Sequence, residues 1–151
     1  MIRRVRTASD HAHVVRMLPL YLDTDEDPRL GTWWLAHGSD GPDAFAGARI
    51  WESATETALI LTAAGVHPRA RGRGLQRELI RTRLAFARAE GLEHVWTYTH
   101  RANTPSANNL IRCGFELWRP TRWNGIEPRD PTWLFWYLPG KRRAKSPNPG
   151  F

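Results

Sequence analysis

Between residues 57 and 90 the chain changes its period across one short joint. Thr57 to Val66 is a continuous run of small and branched apolar residues that reads as a buried strand, whereas from Leu75 to Glu90 the residues Leu75, Leu79, Ile80, Leu84 and Ala87 recur at helical spacing. Gly91 stands where a left-handed terminating residue is wanted. The joint itself, Val66-His67-Pro68-Arg69-Ala70-Arg71-Gly72-Arg73-Gly74-Leu75-Gln76-Arg77, is rich in glycine and arginine. A strand that feeds a helix through such a turn commits the chain to an α/β layer. The same turn suits an anion. Glycines allow close approach of main-chain N–H groups, the helix start adds unpaired donors at a positive dipole end, and Arg71, Arg73 and Arg77 add charge. Taken alone, Arg-Gly-Arg-Gly is a weak sign, because it also occurs in RNA-binding tails and surface turns.

The flanking segments extend the layer on both sides. Ile2 to Arg6 reads as a first strand, followed by a helix capped by Ser9 with Val14, Val15, Leu18 and Leu22 on one face. Thr32 to His37 and Ala44 to Glu52 read as strands joined by the turn-forming Gly38 to Asp43. His94 to Thr99 is a further strand, Thr104-Pro105 opens a helix with Ala107, Leu110 and Ile111 as its packing stripe, and Gly114 closes it. Phe115 to Arg122 and Thr132 to Leu138 supply the last two strands. The predicted order is β-α-β-β-β-α-β-α-β-β, an α/β (α+β) domain over residues 1–138 with a mixed sheet of about seven strands and flanking helices. Residues 139–151 form a basic tail expected to be disordered.

Composition narrows the class. The net charge is +7, but Lys141, Arg142, Arg143 and Lys145 of the tail supply more than half of it. No RNP-like, helix-turn-helix or zinc-finger pattern accompanies the charge, so nucleic acid is an unfavoured partner. No apolar run reaches the roughly 20 residues of a membrane span. Met-Ile-Arg-Arg-Val-Arg does not resemble a signal peptide, and the single Cys113 allows no internal disulfide or multi-cysteine zinc site. The expectation is a cytoplasmic protein with no metal.

The order of elements resembles the GNAT (GCN5-related) N-acetyltransferases, which move acetyl from acetyl-CoA to an amine. Three features carry the resemblance. Thr57 to Val66 with His67-Pro68 is similar to the family's fourth strand and its Val-x-Pro ending. Arg71-Gly72-Arg73-Gly74-Leu75-Gln76 is similar to its pyrophosphate loop, with Gln76 in place of the usual final Gly or Ala. Arg69-x-x-Gly72-x-Gly74 is a second register that satisfies the pattern fully, but the first keeps the usual distance from Val66. Asn103-Thr104-Pro105-Ser106 running to Cys113-Gly114-Phe115 resembles the Asn-initiated helix with its terminal Gly-Phe. The segment Asp23 to Gly31 is shorter than the family's second helix.

By this resemblance the CoA diphosphate lies on main-chain groups of Arg71, Gly72, Arg73, Gly74, Leu75, Gln76 and Arg77. Parting of the fourth and fifth strands would free Ala64, Gly65 and Val66 for the pantetheine arm, as in strand addition, with one N–H polarising the thioester carbonyl. Asn103 is either a cofactor contact or a turn residue preparing the helix, and Ser106 is divided in the same way. The acid tyrosine of many relatives falls here at Leu110. Tyr98, where some relatives keep a carboxylate, is the catalytic candidate, either orienting the amine or donating to sulfur; otherwise it is a wall of the acceptor pocket. A free phenol with a pKa near 10 is a poor base. His100 titrates in a useful range but is more simply a solvated loop residue, His67 is read as structural, and Cys113 as a helix-end residue.

Seven tryptophans fall in predicted strands, and alternation sends Trp33 and Trp34 to opposite faces, so one of them is expected to be exposed or to line a pocket. Asp23, Asp25, Glu26 and Asp27 read as a solvated loop or, beside that tryptophan, as an anionic and aromatic entrance for a cationic amine acceptor. The tryptophan-rich last strands offer an edge for a homodimer. An acyl-CoA-binding domain with little catalysis and a basic nucleic-acid-binding module are the alternatives to an N-acetyltransferase.

Overall fold

The computed structural model describes residues 1–21, 26–119 and 132–139. Its elements are β1 (Ile2–Arg4), α1 (Ala8–Tyr21), β2 (Thr32–Gly38), β3 (Gly41–Glu52), β4 (Thr57–Val66), α2 (Leu75–Ala89), β5 (His94–His100), α3 (Thr104–Arg112), β6 (Glu116–Trp118) and β7 (Trp133–Tyr137). This is the predicted order. The strands form one seven-stranded sheet in the order β1-β2-β3-β4-β5-β7-β6. Only the β4–β5 pair is parallel, so the sheet is mixed as expected. Leu22, Asp23, Asp25, residues 120–122 of the predicted sixth strand and the tail beyond Pro139 lie outside the described residues. Among the described residues no helix is long and apolar enough to cross a membrane.

Two helix starts differ from expectation for the same physical reason. Ser, Thr and Asn adjacent to one another compete to accept the orphan N–H groups of a helix start, and geometry decides among them. The Thr7 hydroxyl, not Ser9, accepts from the Asp10 N–H at 3.1 Å. Asn103, not Thr104, caps α3, its side-chain oxygen accepting from the Ser106 N–H at 3.2 Å, so Pro105 falls one residue deeper than predicted. In α1 the inward face is Val14, Met17 and Leu18, while Val15 is 44% exposed. The predicted Gly38–Asp43 connection contracts to Ser39-Asp40, because β2 and β3 pair out to Gly38 and Gly41.

Both faces of the sheet are covered. On one, α2 and α3 bury Leu79, Ile80, Leu84, Ala87 and Leu110 against Trp34, Leu59, Leu61, Val95 and Trp136. On the other, α1 buries Val14, Met17 and Leu18 against Trp33, Leu35, Phe45 and Ala63. Trp33 and Trp34 do face opposite sides, but both are buried, at 3% and 4% exposure, which corrects the expectation that one would be open. Each has a helix over it. Among the described tryptophans, Trp133 on β7 lines the cleft.

Candidate active site

Strands β4 and β5 are paired only from Ala58 with His94 to Leu61 with Thr97. Beyond that point β4 runs five residues farther, held by β3 alone, with Ala64 opposite Ala46 and Val66 opposite Ala44. The two strands part, and a wedge opens between them. The His67 N–H is bonded to the Asp43 carbonyl, so strand alternation turns the main-chain groups of Ala64 and Val66 away from β3 and into the wedge. Apart from the Val66 carbonyl, which accepts from Arg71 Nε, such groups are costly to leave unmatched and suit an extended amide-bearing ligand.

At its wide end the wedge meets the glycine-rich joint. Gly72 and Gly74 both take left-handed backbone conformations, with φ of 77° and 78°, which side-chain-bearing residues rarely adopt. Gly74 is the N-cap of α2 and supplies no side-chain cap, and the first helical bond is Glu78 N–H to the Gly74 carbonyl. The N–H groups of Leu75, Gln76 and Arg77 therefore precede the helical ladder and border the cleft. Ala64, Gly65, Val66, Arg71, Gly72, Gly74, Leu75, Gln76, Arg77, Asn103 and Ser106 all line this part. Arg73 is exposed and off the lining. Arg71 Nε donates to the Val66 carbonyl at 3.2 Å, which folds its side chain against the end of β4. His67 caps the short turn Pro68–Ala70, accepting from the Arg69 N–H. The sequence reading omits Arg112 and Asn109, which approach from α3.

Gln76 occupies the position where the family resemblance leads one to expect a small residue. Its Nε2 donates to Ser106 Oγ at 2.7 Å, and its Oε1 accepts from Asn109 Nδ2 at 2.8 Å. The side chain thus lies along α3 and joins the first turns of two helices. Asn103 takes the helix-preparing role, its oxygen being the cap of α3, and it borders both ends of the cleft.

The inner end is lined by Glu26, Tyr98, His100 and Trp133 from one face of the sheet and by Ile80, Arg83, Thr97, Thr99 and Leu110 from the other. Tyr98 and His100 each meet the Trp133 ring edge-on, with centroids 5.6 Å apart. His100 Nδ1 also accepts from the Ala102 N–H, a turn-forming role. Tyr98 donates to Glu26 Oε1 at 3.4 Å, and Arg49 donates to Glu26 Oε2 at 2.6 Å. Burial, reinforced by the Glu26 carboxylate, pushes the Tyr98 phenol up to about 12, so it keeps its proton and acts as a donor. Of the described part of the acidic run, Glu26 enters the cleft, with its side chain 9% exposed. Asp27 instead binds Arg29, whose hydrogen bonds hold its carboxyl down at about 2.

Arg83 departs from the simple picture of arginines on the polar side of α2. It lies four residues after Leu79, three after Ile80 and four before Ala87, which places it on the buried face, and it is 3% exposed. Its Nε donates to the Leu79 carbonyl at 3.1 Å and its Nη1 to the Gly47 carbonyl at 3.0 Å, at the irregular register of β3. Burial pulls it down to about 10, where it still holds its proton at neutral pH. Leu110 is buried beside the cleft and offers no hydroxyl. Cys113 ends α3, half-buried, with its thiol pushed up by burial.

Comparison with known proteins agrees with this geometry. A model described as the Acetyltransferase (GNAT) family matches residues 3–115. The chain is 30% identical over 112 residues to a mycothiol acetyltransferase of Rhodococcus erythropolis, covering 74% of this chain and 33% of that protein. It is 34% identical over 91 residues to a streptothricin acetyltransferase of Streptomyces lavendulae, covering 60% of this chain and 46% of that protein. The chain thus spans less than half the length of either relative. A Bacillus subtilis acetyltransferase solved in complex with CoA superposes with a TM-score of 0.69 at 16% identity, over 91% of this chain and 96% of that one, a likeness of fold.

Proposed function

Since the chain belongs to the GNAT acetyltransferase family, we propose that it transfers acetyl from acetyl-CoA to a primary amine, by direct attack within a ternary complex. The observation that carries this reading is the continuity of one cleft. It starts at an uncapped helix N-terminus with two left-handed glycines, follows the unpaired edge of β4, and ends at a pocket of carboxylate, phenol and indole.

In this reading the main chain from Gly72 to Arg77 receives the diphosphate, with Arg71, Arg77 and Arg112 as accessory charges. The Ala64 carbonyl and the Val66 N–H pair with the pantetheine amides, and the N–H of Ala64 polarises the thioester carbonyl. Glu26 draws an ammonium group to the Tyr98 and Trp133 end. The ammonium gives one proton to solvent, the amine lone pair forms the new C–N bond, the C–S bond breaks, and the nitrogen gives up a second proton to solvent as the amide forms. Tyr98, protonated across the working pH range, donates to the departing thiolate and regains a proton from solvent. It takes the part for which Leu110 has no group. The acceptor amine belongs to a small molecule or a peptide.

An amine panel assayed by thiol release from acetyl-CoA tests the proposal. Release that depends on an amine, and that is lost in Gly74→Glu, supports it. A second reading, acyl-CoA binding with little turnover, follows from Leu110 at the usual acid position. Stabilisation by acetyl-CoA with no thiol release from any amine would favour that one.

A further inference from the structure

Arg83 is a guanidinium in the core with no counter-ion among the described residues. Its partners there are two main-chain carbonyls, those of Leu79 and Gly47. A guanidinium carries five N–H donors, so the second hydrogen of Nη1 and both of Nη2 are left over. Removing a cation from water costs several kcal/mol unless an anion or a full set of acceptors replaces the solvent; here two carbonyls do so in part, and the unpartnered nitrogen keeps a little accessible surface at the cleft. Two polar side chains at the same end of the cleft have other partners, Thr97 Oγ1 donating to the Leu61 carbonyl and Thr99 Oγ1 accepting from Trp136, and the nearby Cys113 thiol is pushed up by burial. The opening beside Arg83 is the cleft it lines.

Position along the wedge tells which part of a ligand would meet it. Gly74 stands at the diphosphate end, and Arg83 lies nine residues down α2, about 13 Å along a helix that rises 1.5 Å per residue. Its anchor, the Gly47 carbonyl, lies at the irregular register of β3 between Ala46 and Ala48, whose partners on β4 are Ala64 and Leu61. Leu61 is also the last β4 residue paired to β5. Arg83 is therefore level with the apex of the wedge, beyond the Ala64 main chain. It lies on the α2 face, opposite the side where Glu26, Tyr98 and Trp133 await the acceptor. A donor lying along β4 with its thioester at Ala64 directs its acyl chain toward this apex.

We infer that Arg83 is a carboxylate-binding point in the acyl pocket, and that the protein accepts acyl-CoA donors whose short acyl chain ends in a carboxylate, of the malonyl or succinyl class, besides acetyl-CoA. The remaining N–H groups form the planar fork that a carboxylate fills with two hydrogen bonds. The inference rests on the acyl-CoA reading of the cleft. Its chemistry is the same acyl transfer. The amine nitrogen bonds to the thioester carbon, the C–S bond breaks, the amine's proton leaves and the thiolate is protonated, while the terminal carboxylate stays ionised on Arg83 and takes no part.

Calorimetric titration of the full-length protein with malonyl-CoA, and with butyryl-CoA as an uncharged donor of similar size, tests this. The wild type is expected to bind malonyl-CoA roughly tenfold or more tightly than butyryl-CoA, the scale of a charge-assisted pair. Arg83→Met, which keeps the length and removes the charge, is expected to reverse that order. Should thermal melting show the Arg83→Met variant to be poorly folded, the charged variant Arg83→Lys is expected to keep part of the preference. Equal binding of malonyl- and butyryl-CoA by the wild type overturns the inference. So does a preference that survives Arg83→Met. With acetyl-CoA fixed as donor, an effect of Arg83→Met confined to carboxylate-bearing amines would move the site to the acceptor and overturn the donor assignment. Failure of acetyl-CoA itself to bind would instead strike the acyl-CoA reading, which keeps the two failures apart.

Discussion

Gln76 and Ser106 are joined by a hydrogen bond of 2.7 Å that links the first turn of α2 to the first turn of α3 across the neck of the cleft. Asn109 closes the link from the same side. Gln76→Ala removes both bonds, each worth about 0.5–1.5 kcal/mol, and is expected to lower the melting temperature by about 2–12 °C, at roughly 2–4 °C per kcal/mol for a chain of this size. Acetyl-CoA affinity, measured by titration, is expected to hold within about threefold, because Ser106 Oγ is then released toward the cofactor. An unchanged melting temperature would mean the bridge contributes nothing.

Gly74→Glu sets a side chain on a left-handed backbone and a negative charge against the diphosphate cradle. Binding of acetyl-CoA is expected to weaken by about a hundredfold or more, as two unfavourable terms of roughly one to two kcal/mol combine. Thermal-shift titration reads this directly. Retained stabilisation by acetyl-CoA would place the diphosphate elsewhere.

Tyr98→Phe keeps the ring against Trp133 and removes the proton donor. The expected result is a fall in kcat of about a hundredfold or more, within the range of general acid catalysis, with little change in either KM. The pH profile carries a second check. A phenol raised to about 12 is protonated below that value, so no alkaline loss between about pH 8 and pH 10 is assigned to Tyr98. An alkaline limb in that interval that disappears in Tyr98→Phe would contradict the assignment.

Glu26 and Asp27 are neighbours in sequence with opposite fates. Glu26→Gln is expected to raise KM for a cationic amine roughly tenfold, the weight of one partly buried charge pair, with a smaller effect on kcat. Asp27→Asn, on a carboxylate already held by Arg29, is expected to leave both constants unchanged. Steady-state kinetics on the two variants separates a specific contact from a general acidic field. Equal effects would support the latter.

How much of this is legible in the sequence follows the range of the forces involved. Thr57–Val66 and Leu75–Ala89 are bounded almost to the residue, because periodicity and the glycine joint are local signals. Helix caps slip by one or two positions at Thr7 and Asn103, where neighbouring polar residues compete. The meeting of Glu26 with Tyr98 spans 72 residues and is made by the sheet order, which no local pattern encodes. Arg83 is a different case. Its spacing from Leu79, Ile80 and Ala87 marks it as inward, but the habit of assigning arginine to solvent outweighs the period.

Because the gap between β4 and β5 is made by backbone pairing that stops at Leu61, the two halves of the reaction are held by separate stretches of polypeptide. In the proposed reading the diphosphate and pantetheine rest on main-chain atoms from 64 to 77, which side-chain drift barely touches. The proposed acceptor end is built from the side chains at 26, 98 and 133. Evolution, or an engineer, can therefore retune which amine is modified at those three positions and inherit the coenzyme grip intact.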